Sequence, residues 1–180
     1  MKNLKIAISG YGSISALGVN SEHIWNRYLD NQHCFMKKQF DVSEDWVAAL
    51  TPEGNEIISG LKRDKKYQSL DPSVHYALAA SRIAVENAGW NNNEEFGINI
   101  GSSRGATETF EKYHREFIEN GSQKVNPLTS PGTTLGNMAC WVAGDLNNSG
   151  ASISHSATCS TALQSIANAA ALLRAGFIKS

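Results

Sequence analysis

Residues 152–176 read SISHSATCSTALQSIANAAALLRAG. The first four residues favour a β-strand, the chain breaks at Ser156, and an alanine-rich run without glycine or proline continues to Gly176. This order predicts a strand, a tight turn and a helix. Large apolar side chains and alanines recur along the helix at spacings of three and four, so at least one of its faces is expected to be buried.

Cys159 lies in the predicted turn, at or within one turn of the start of that helix. Unpaired backbone N–H groups and the positive end of the helix dipole meet there, and both favour a thiolate. The same N–H groups can stabilise a developing oxyanion. This position favours a nucleophilic role for Cys159.

A packing role for Cys159 stays open on the residues alone, since free cysteine is among the most buried residue types. A nucleophile also needs an accompanying acid or base, which sequence spacing does not identify. His155 precedes Cys159 by four residues on the strand side of the turn. We interpret His155 as a structural or substrate-channel residue rather than a base.

The rest of the chain alternates between strand and helix patterns. Residues 4–9 predict a buried strand that ends at Gly10 and Gly12, and a turn is favoured over a dinucleotide site because the third glycine of that fingerprint is absent. Residues 30–69 are polar and irregular, with a short helix expected around 44–50. Further helices are predicted at 71–89, 107–119 and 133–145, and further strands at 96–100 and 151–155. Such alternation indicates a layered α/β fold with a mixed or mostly parallel sheet.

Composition limits the class of protein. The 180 residues are 41% hydrophobic and 18% charged with a net charge of -1, which is typical of a single globular domain and indicates neither a nucleic-acid nor a membrane partner. Cys34, Cys140 and Cys159 form no disulfide framework, so a cytoplasmic location is expected and the first two are interpreted as packing residues. No histidine stands at metal-ligand spacing, and no metal site is predicted.

The segment from Gly150 to Ala162, GASISHSATCSTA, resembles the nucleophile segment of the β-ketoacyl-acyl carrier protein synthases, the thiolase-like condensing enzymes. Residues 6–18 resemble the opening strand and glycine-rich turn of this family, and residues 71–89 its first long inner helix. Residues 98–102 resemble its second strand, and residues 126–145 the helix before the nucleophile strand. The likeness covers nearly the whole chain in the right order.

The resemblance implies the N-terminal half of a thiolase-like fold, with helical layers on both sides of the sheet, over residues 1–180. It implies that Cys159 accepts an acyl group from the phosphopantetheine of acyl carrier protein and that a malonyl-carrier carbanion then attacks the acyl-enzyme. Thr158 and Ser160 would shape the turn, and the Cys159 N–H would supply half of the oxyanion hole. No bound cofactor is implied. A homodimer, or a heterodimer with a related subunit, is expected through residues 133–145 and 151–155.

The family also uses two histidines and a glycine-rich loop from the second half of its fold, and no motif for either histidine can be placed in these 180 residues. The chain is therefore expected to be truncated relative to the family. Two other functions stay open: a non-catalytic half-fold that partners a complete synthase, and thiolase or acyltransferase chemistry on coenzyme A thioesters.

Overall fold

The computed structural model describes residues 5–90 and 95–180. In chain order, the elements of these residues are α1 (Ser21–Leu29), β1 (Met36–Gln39), β2 (Glu44–Val47), α2 (Pro52–Arg63), α3 (Pro72–Asn87), β3 (Ile98–Gly101), α4 (Thr107–Glu119), α5 (Thr129–Thr133), α6 (Asn137–Asp145), β4 (Ser152–His155) and α7 (Thr161–Ala175). A 3-10 turn, Thr158–Ser160, joins β4 to α7. No helix among the described residues is long and apolar enough to cross a membrane.

Strands β3 and β4 overlap the strands predicted at 96–100 and 151–155, and they form a parallel pair, in agreement with the predicted mixed or mostly parallel sheet. Ile98 lies opposite Ser152, and Gly101 lies opposite His155. The Ile98 N–H donates to the carbonyl of Ala151 at 2.8 Å, so residues 151, 153 and 155 direct their backbone groups toward β3. Helix α7 packs on β3, and α6 packs on both strands. This pair positions the segment that contains Cys159.

Helix α3 lies at the centre of the core. Asp71 caps its N-terminus by accepting from the Ser73 N–H at 2.9 Å, and Pro72 occupies the first turn, so α3 begins one residue after the start predicted at residue 71. Val74 and Leu78 are fully buried. The buried residues around them come from α2, the turn before α3, α3 itself, β3 with the segment just before it, and α6: Ile58, Leu61, Tyr67, Ala79, Phe96, Ile98, Met138, Ala139 and Val142.

An ion pair joins α3 to α6. Arg82 donates from Nε to Oδ2 of Asp145 at 2.7 Å and from a terminal nitrogen to Oδ1 at 2.6 Å. The Tyr67 hydroxyl donates to the same Oδ1 at 2.5 Å. Burial raises the pKa of Asp145, but these hydrogen bonds outweigh it and hold the pKa below its ordinary value. The carboxylate therefore stays ionised between the two helices.

The predicted strand at residues 4–9 is wrong for the residues that can be compared. Leu4 lies outside the described residues, and residues 5–9 form no strand and are exposed. A strand forms only where a neighbour pairs with it, and none of the described strands does so here. The chain instead lies against α3, where a Cβ on Gly10 would stand 2.5 Å from the backbone nitrogen of Ala88. The glycines are needed for this close approach.

The helix expected at residues 44–50 is also wrong. Residues 44–47 instead form β2, which pairs with β1 in an antiparallel hairpin. Lys37 and Glu44 form an ion pair across the hairpin at 2.7 Å. The helix starts later, at Pro52. Its N-cap is Thr51, whose hydroxyl accepts from the Gly54 N–H at 3.2 Å.

The helix predicted at residues 133–145 is α6, which ends at Asp145 as predicted but begins four residues later, at Asn137, after the separate short helix α5. Helix α5 ends at Thr133, Thr134 is extended (φ -67°, ψ 137°), and α6 begins after Gly136. The Asn137 side chain donates to the Gly132 carbonyl at 2.9 Å and stabilises the break. The helix predicted at Thr107–Glu119 is confirmed with the same ends.

Helix α7 has its apolar stripe on the outside. One face of α7 packs on β3 as expected, but Leu163 is 73% exposed and Ile166 61%, so the expectation that these apolar side chains belong to the buried face is wrong. Two small polar side chains, Thr161 and Ser165, face β3 instead, where a Cβ on Gly101 would meet both. The close contact between helix and strand leaves no room for the larger apolar side chains.

Candidate active site

Cys159 lies in the 3-10 turn between β4 and α7, where the strand-turn-helix pattern placed it. Its thiol is exposed. The turn closes through the Ser160 N–H, which donates to the Ala157 carbonyl at 3.2 Å. Helix α7 starts two residues after Cys159, so this residue lies at the positive end of a 15-residue helix. Exposure and this location are what an attacking thiolate requires.

The residue before the cysteine has a strained backbone. Thr158 has a φ of 50°, in the left-handed region. A β-branched residue is rare there because its Cβ crowds the backbone, and the cost is on the order of 1–3 kcal/mol. Strain of this kind persists only when neighbouring contacts hold it in place.

Two exposed hydroxyls next to Cys159 bond to a single carbonyl. The Thr158 hydroxyl donates to the Ala157 carbonyl at 2.8 Å, and the Ser160 hydroxyl donates to the same oxygen at 2.9 Å. Gln164 then donates to the Ser160 hydroxyl at 3.0 Å. Both predicted turn residues thus make local hydrogen bonds, and their roles in the chemistry stay predictions.

Thr161 is a residue of this site that the sequence pattern did not single out. It is 4% exposed. Its hydroxyl accepts from the Ala157 N–H at 2.8 Å and donates to the Thr158 carbonyl at 2.6 Å, and its own N–H donates to that carbonyl as well. A threonine in an alanine-rich run gives no sequence signal that its hydroxyl turns back to the preceding loop.

Strand β3 supports the turn from below. A Cβ on Gly101 would overlap the Thr161 methyl group and stand 2.6 Å from the Ser165 hydroxyl. The Asn99 side chain donates to the Ser165 carbonyl at 2.8 Å. Gly101 therefore allows a close approach between β3 and the residues of α7 from Thr161 to Ser165.

His155 is hydrogen-bonded to α7. Its Nε2 is 3.3 Å from the Ser165 hydroxyl, which itself donates to the Thr161 carbonyl at 3.0 Å. Since the hydroxyl proton is used in that bond, the Ser165 oxygen is left to accept from Nε2. Nδ1 is buried without a partner among the described residues. The geometry agrees with a structural role, and the substrate-channel alternative is untested.

The remaining predicted site features lie elsewhere. Cys34 is half-buried, but Cys140 is exposed on α6, so its interpretation as a packing residue is wrong. No group of three or more potential metal ligands occurs within residues 5–90 and 95–180. A cavity of about 930 Å³ lies between α1, the β1–β2 hairpin and residues 14–17, and Cys159 does not line it.

The sequence is similar to known proteins over nearly its whole length. The family described as "Beta-ketoacyl synthase, N-terminal domain" matches residues 3–179. The 3-oxoacyl-[acyl-carrier-protein] synthase 2 of Vibrio cholerae is 30% identical over a match that covers 98% of this chain and 44% of that protein. The protein of the same name from Staphylococcus aureus is 27% identical, with 97% and 44% covered. The chain thus spans less than half the length of these relatives.

Solved structures share the fold. The ishigamide ketosynthase/chain length factor superposes with a TM-score of 0.79 at 17% identity, covering 94% of this chain and 44% of that one. A β-ketoacyl synthase from Burkholderia phymatum gives a TM-score of 0.73 at 22% identity, with 94% and 43% covered. A type II polyketide synthase acyl-carrier protein in complex with its ketosynthase gives 0.75 at 15% identity, with 94% and 47% covered. These superpositions confirm the expected thiolase-like α/β architecture.

Proposed function

Because the chain belongs to the β-ketoacyl synthase family, through the N-terminal domain of that family, we propose that its protein is a 3-oxoacyl-acyl carrier protein synthase of fatty acid or polyketide synthesis. The observation that carries this proposal is the exposed Cys159 in a strained turn before α7. A buried packing cysteine would need neither exposure nor a strained neighbour. The family match extends over residues 3–179, which include this turn, and so supports the proposal.

The proposed reaction has two steps. The Cys159 thiolate attacks the thioester of an acyl carrier protein, an S–C bond forms, and the phosphopantetheine thiol leaves. Malonyl-carrier then loses carbon dioxide, its carbanion attacks the acyl-enzyme carbonyl, and the Cys159 thiolate leaves as the 3-oxoacyl product forms. The Cys159 N–H supplies one oxyanion donor, while Thr158 and Ser160 shape the turn. The substrates arrive on the carrier, so the protein itself binds no cofactor in this scheme.

Two histidines complete the chemistry in the family. We place them, with the glycine-rich loop that supplies the second oxyanion donor, in a region of the protein that these 180 residues do not include. The relatives, which extend well beyond the matched part, support this assignment. Residues 1–180 then act as the N-terminal half of a larger catalytic unit, which we expect in the cytoplasm.

The test is acylation of the intact protein by an acyl carrier thioester, followed by peptide mass spectrometry. We expect the acyl mass on the peptide that contains Cys159, its loss in Cys159→Ala, and its retention in Cys140→Ala, which removes another exposed thiol. An acyl group that is absent, or that persists in Cys159→Ala, contradicts the proposal.

The choice of substrate separates this function from the two alternatives, a non-catalytic partner and thiolase or acyltransferase chemistry. Condensation with malonyl-carrier excludes a non-catalytic partner. Acylation that requires coenzyme A thioesters and fails with carrier-bound substrates would instead favour thiolase or acyltransferase chemistry.

We also propose a dimer that uses the free edge of β4 together with α6. Neither β3 nor β4 has a third strand beside it among the described residues, and Ser152 directs its N–H away from β3. An unpaired strand edge is a template for pairing with a second chain. Ser152→Pro removes that N–H without removing a bond to β3, so light scattering should find the intact variant monomeric and Ser152→Ala dimeric. A dimeric Ser152→Pro would contradict this interface.

A further inference from the structure

We propose that Thr161 is the positioning residue of the nucleophile turn: its buried hydroxyl holds Thr158 in the left-handed region and thereby fixes the direction in which Cys159 projects. The inference rests on the proposed role of Cys159 as the nucleophile. Thr161 itself touches neither the substrate nor the sulfur in this scheme. It acts through the backbone of the two residues before Cys159.

The turn needs such a residue because Thr158 does not favour its own conformation. Its φ of 50° is one that a β-branched residue adopts rarely. Without external contacts the residue would relax to a negative φ. Relaxation there would rotate the next peptide and move Cys159 away from the start of α7.

One oxygen atom supplies the contacts. The Thr161 hydroxyl accepts from the Ala157 N–H at 2.8 Å and donates to the Thr158 carbonyl at 2.6 Å. These two bonds bracket the backbone of Ala157 and Thr158, so they restrain the dihedral angles of both residues. The Thr161 N–H reinforces the second bond by donating to the same carbonyl.

Thr161 is itself held by the strand beneath it. Its methyl group occupies the space that a side chain on Gly101 would take, and its carbonyl accepts from the Ser165 hydroxyl at 3.0 Å. The two hydrogen bonds of the Thr161 hydroxyl, which we call the clamp, therefore connect the turn to β3 through a buried residue. The hydroxyls of Thr158 and Ser160, by contrast, are exposed and bond to the Ala157 carbonyl in competition with water. Thr161 is for this reason the residue whose loss should matter most.

The experiment compares Thr161→Val, which keeps the shape and loses the hydroxyl, with Thr161→Ser, which keeps the hydroxyl. Thr51→Val is the matched control, because it removes a hydroxyl that accepts from a backbone N–H at the start of α2. Iodoacetamide is added to each intact protein, forming an S–C bond at the thiol with loss of iodide. Cleavage before Asp145 places Cys140 and Cys159 on different peptides, so Cys140 serves as an internal reference.

We expect Thr161→Val to slow alkylation of Cys159 by about tenfold, with Cys140 unchanged, while Thr161→Ser and Thr51→Val react as the wild type does. Acyl transfer to Cys159 should slow by a similar factor. Equal Cys159 rates in Thr161→Val and wild type would overturn the proposal, and so would equal slowing in Thr161→Ser, since the hydroxyl would then not be the cause. If Thr161→Val does not fold, the double variant Thr158→Gly/Thr161→Val replaces it. Glycine tolerates a positive φ, so the double variant should fold without the Thr161 hydroxyl. A double variant that also fails to fold counts against the proposed role of that hydroxyl. Alkylation that follows this pattern in a protein that is never acylated would contradict the proposed function and leave the clamp supported.

Discussion

Replacing Asp145 by asparagine should destabilise the intact protein by about 2 kcal/mol. The carboxylate is 5% exposed and receives three hydrogen bonds, two from Arg82 and one from Tyr67. Breaking a fully buried pair costs about 3–5 kcal/mol, whereas an exposed pair contributes about 0–1 kcal/mol. The Arg82 side chain is 47% exposed, so water screens its charge and places this pair between the two limits. Asparagine also turns an N–H₂ group toward the guanidinium, which has no acceptor to offer.

The matched control is Glu56→Gln, because Glu56 forms an ion pair with Arg63 at 2.7 Å and both side chains are exposed. It makes the same chemical change without burial, and we expect a loss of about 0.5 kcal/mol or less. The measurement is urea unfolding of both variants beside the wild type at pH 7. A loss in Asp145→Asn no larger than in Glu56→Gln would refute the reasoning, because burial would then contribute nothing.

The pH dependence gives a second measurement on the same variant. In the folded state the pKa of Asp145 is below its ordinary value, since the hydrogen bonds from Arg82 and Tyr67 outweigh the opposing effect of burial. A lowered folded-state pKa contributes stability that is present above the unfolded-state pKa and is lost as the pH falls through the folded-state pKa. The difference between wild type and Asp145→Asn should therefore be large at pH 7 and shrink in acid. A difference that stays constant as the protein is acidified would show that the ionised form of Asp145 is not its source.

Three further outcomes are expected. Gly101→Ala should lower the free energy of unfolding by about 1–3 kcal/mol and slow acylation of Cys159, since its Cβ would overlap the first turn of α7; an unchanged urea midpoint would contradict this. Asp71→Asn should lower the free energy of unfolding by about 1 kcal/mol at pH 7 and by less in acid, which urea unfolding at both pH values checks. The reason is that hydrogen bonds from Ser73 and the Thr109 N–H outweigh the effect of burial and hold the pKa of Asp71 low. Residues 1–180 expressed alone should self-associate through the exposed stripe of α7, and Leu163→Gln with Ile166→Gln should reduce this in light scattering; a soluble monomer with a cooperative thermal transition would disprove it.

Elements with local signals could be predicted from the sequence. Asp71 and Pro72 mark a helix start through capping and the fixed φ of proline, and α3 begins there. The ends of α4 were predicted correctly at both residues. The strand, turn and helix around Cys159 were found for the same reason, because each follows from its own few residues.

Elements that need a distant partner were predicted poorly. Residues 44–47 become a strand only because residues 36–39 lie beside them. Residues 5–9 have the composition of a strand, yet no described strand pairs with them, and they are not one. The break between α5 and α6 depends on a side-chain bond from Asn137 to Gly132, which apolar spacing does not reveal. Pairing and packing decide these cases, and single-sequence periodicity does not measure either one.

The sequence by itself determined the family resemblance and the place of Cys159 between a strand and a helix, because both depend on the order of neighbouring residues. Only the tertiary structure decided what holds that cysteine in position. The hydroxyl of Thr161 can reach the turn because Gly101, sixty residues earlier, has no side chain and lets this residue pack against β3. Arg82 and Asp145 likewise stabilise the layer behind the site although 63 residues separate them. Contacts of this kind arise when distant segments pack together, and no local pattern of residue types encodes them.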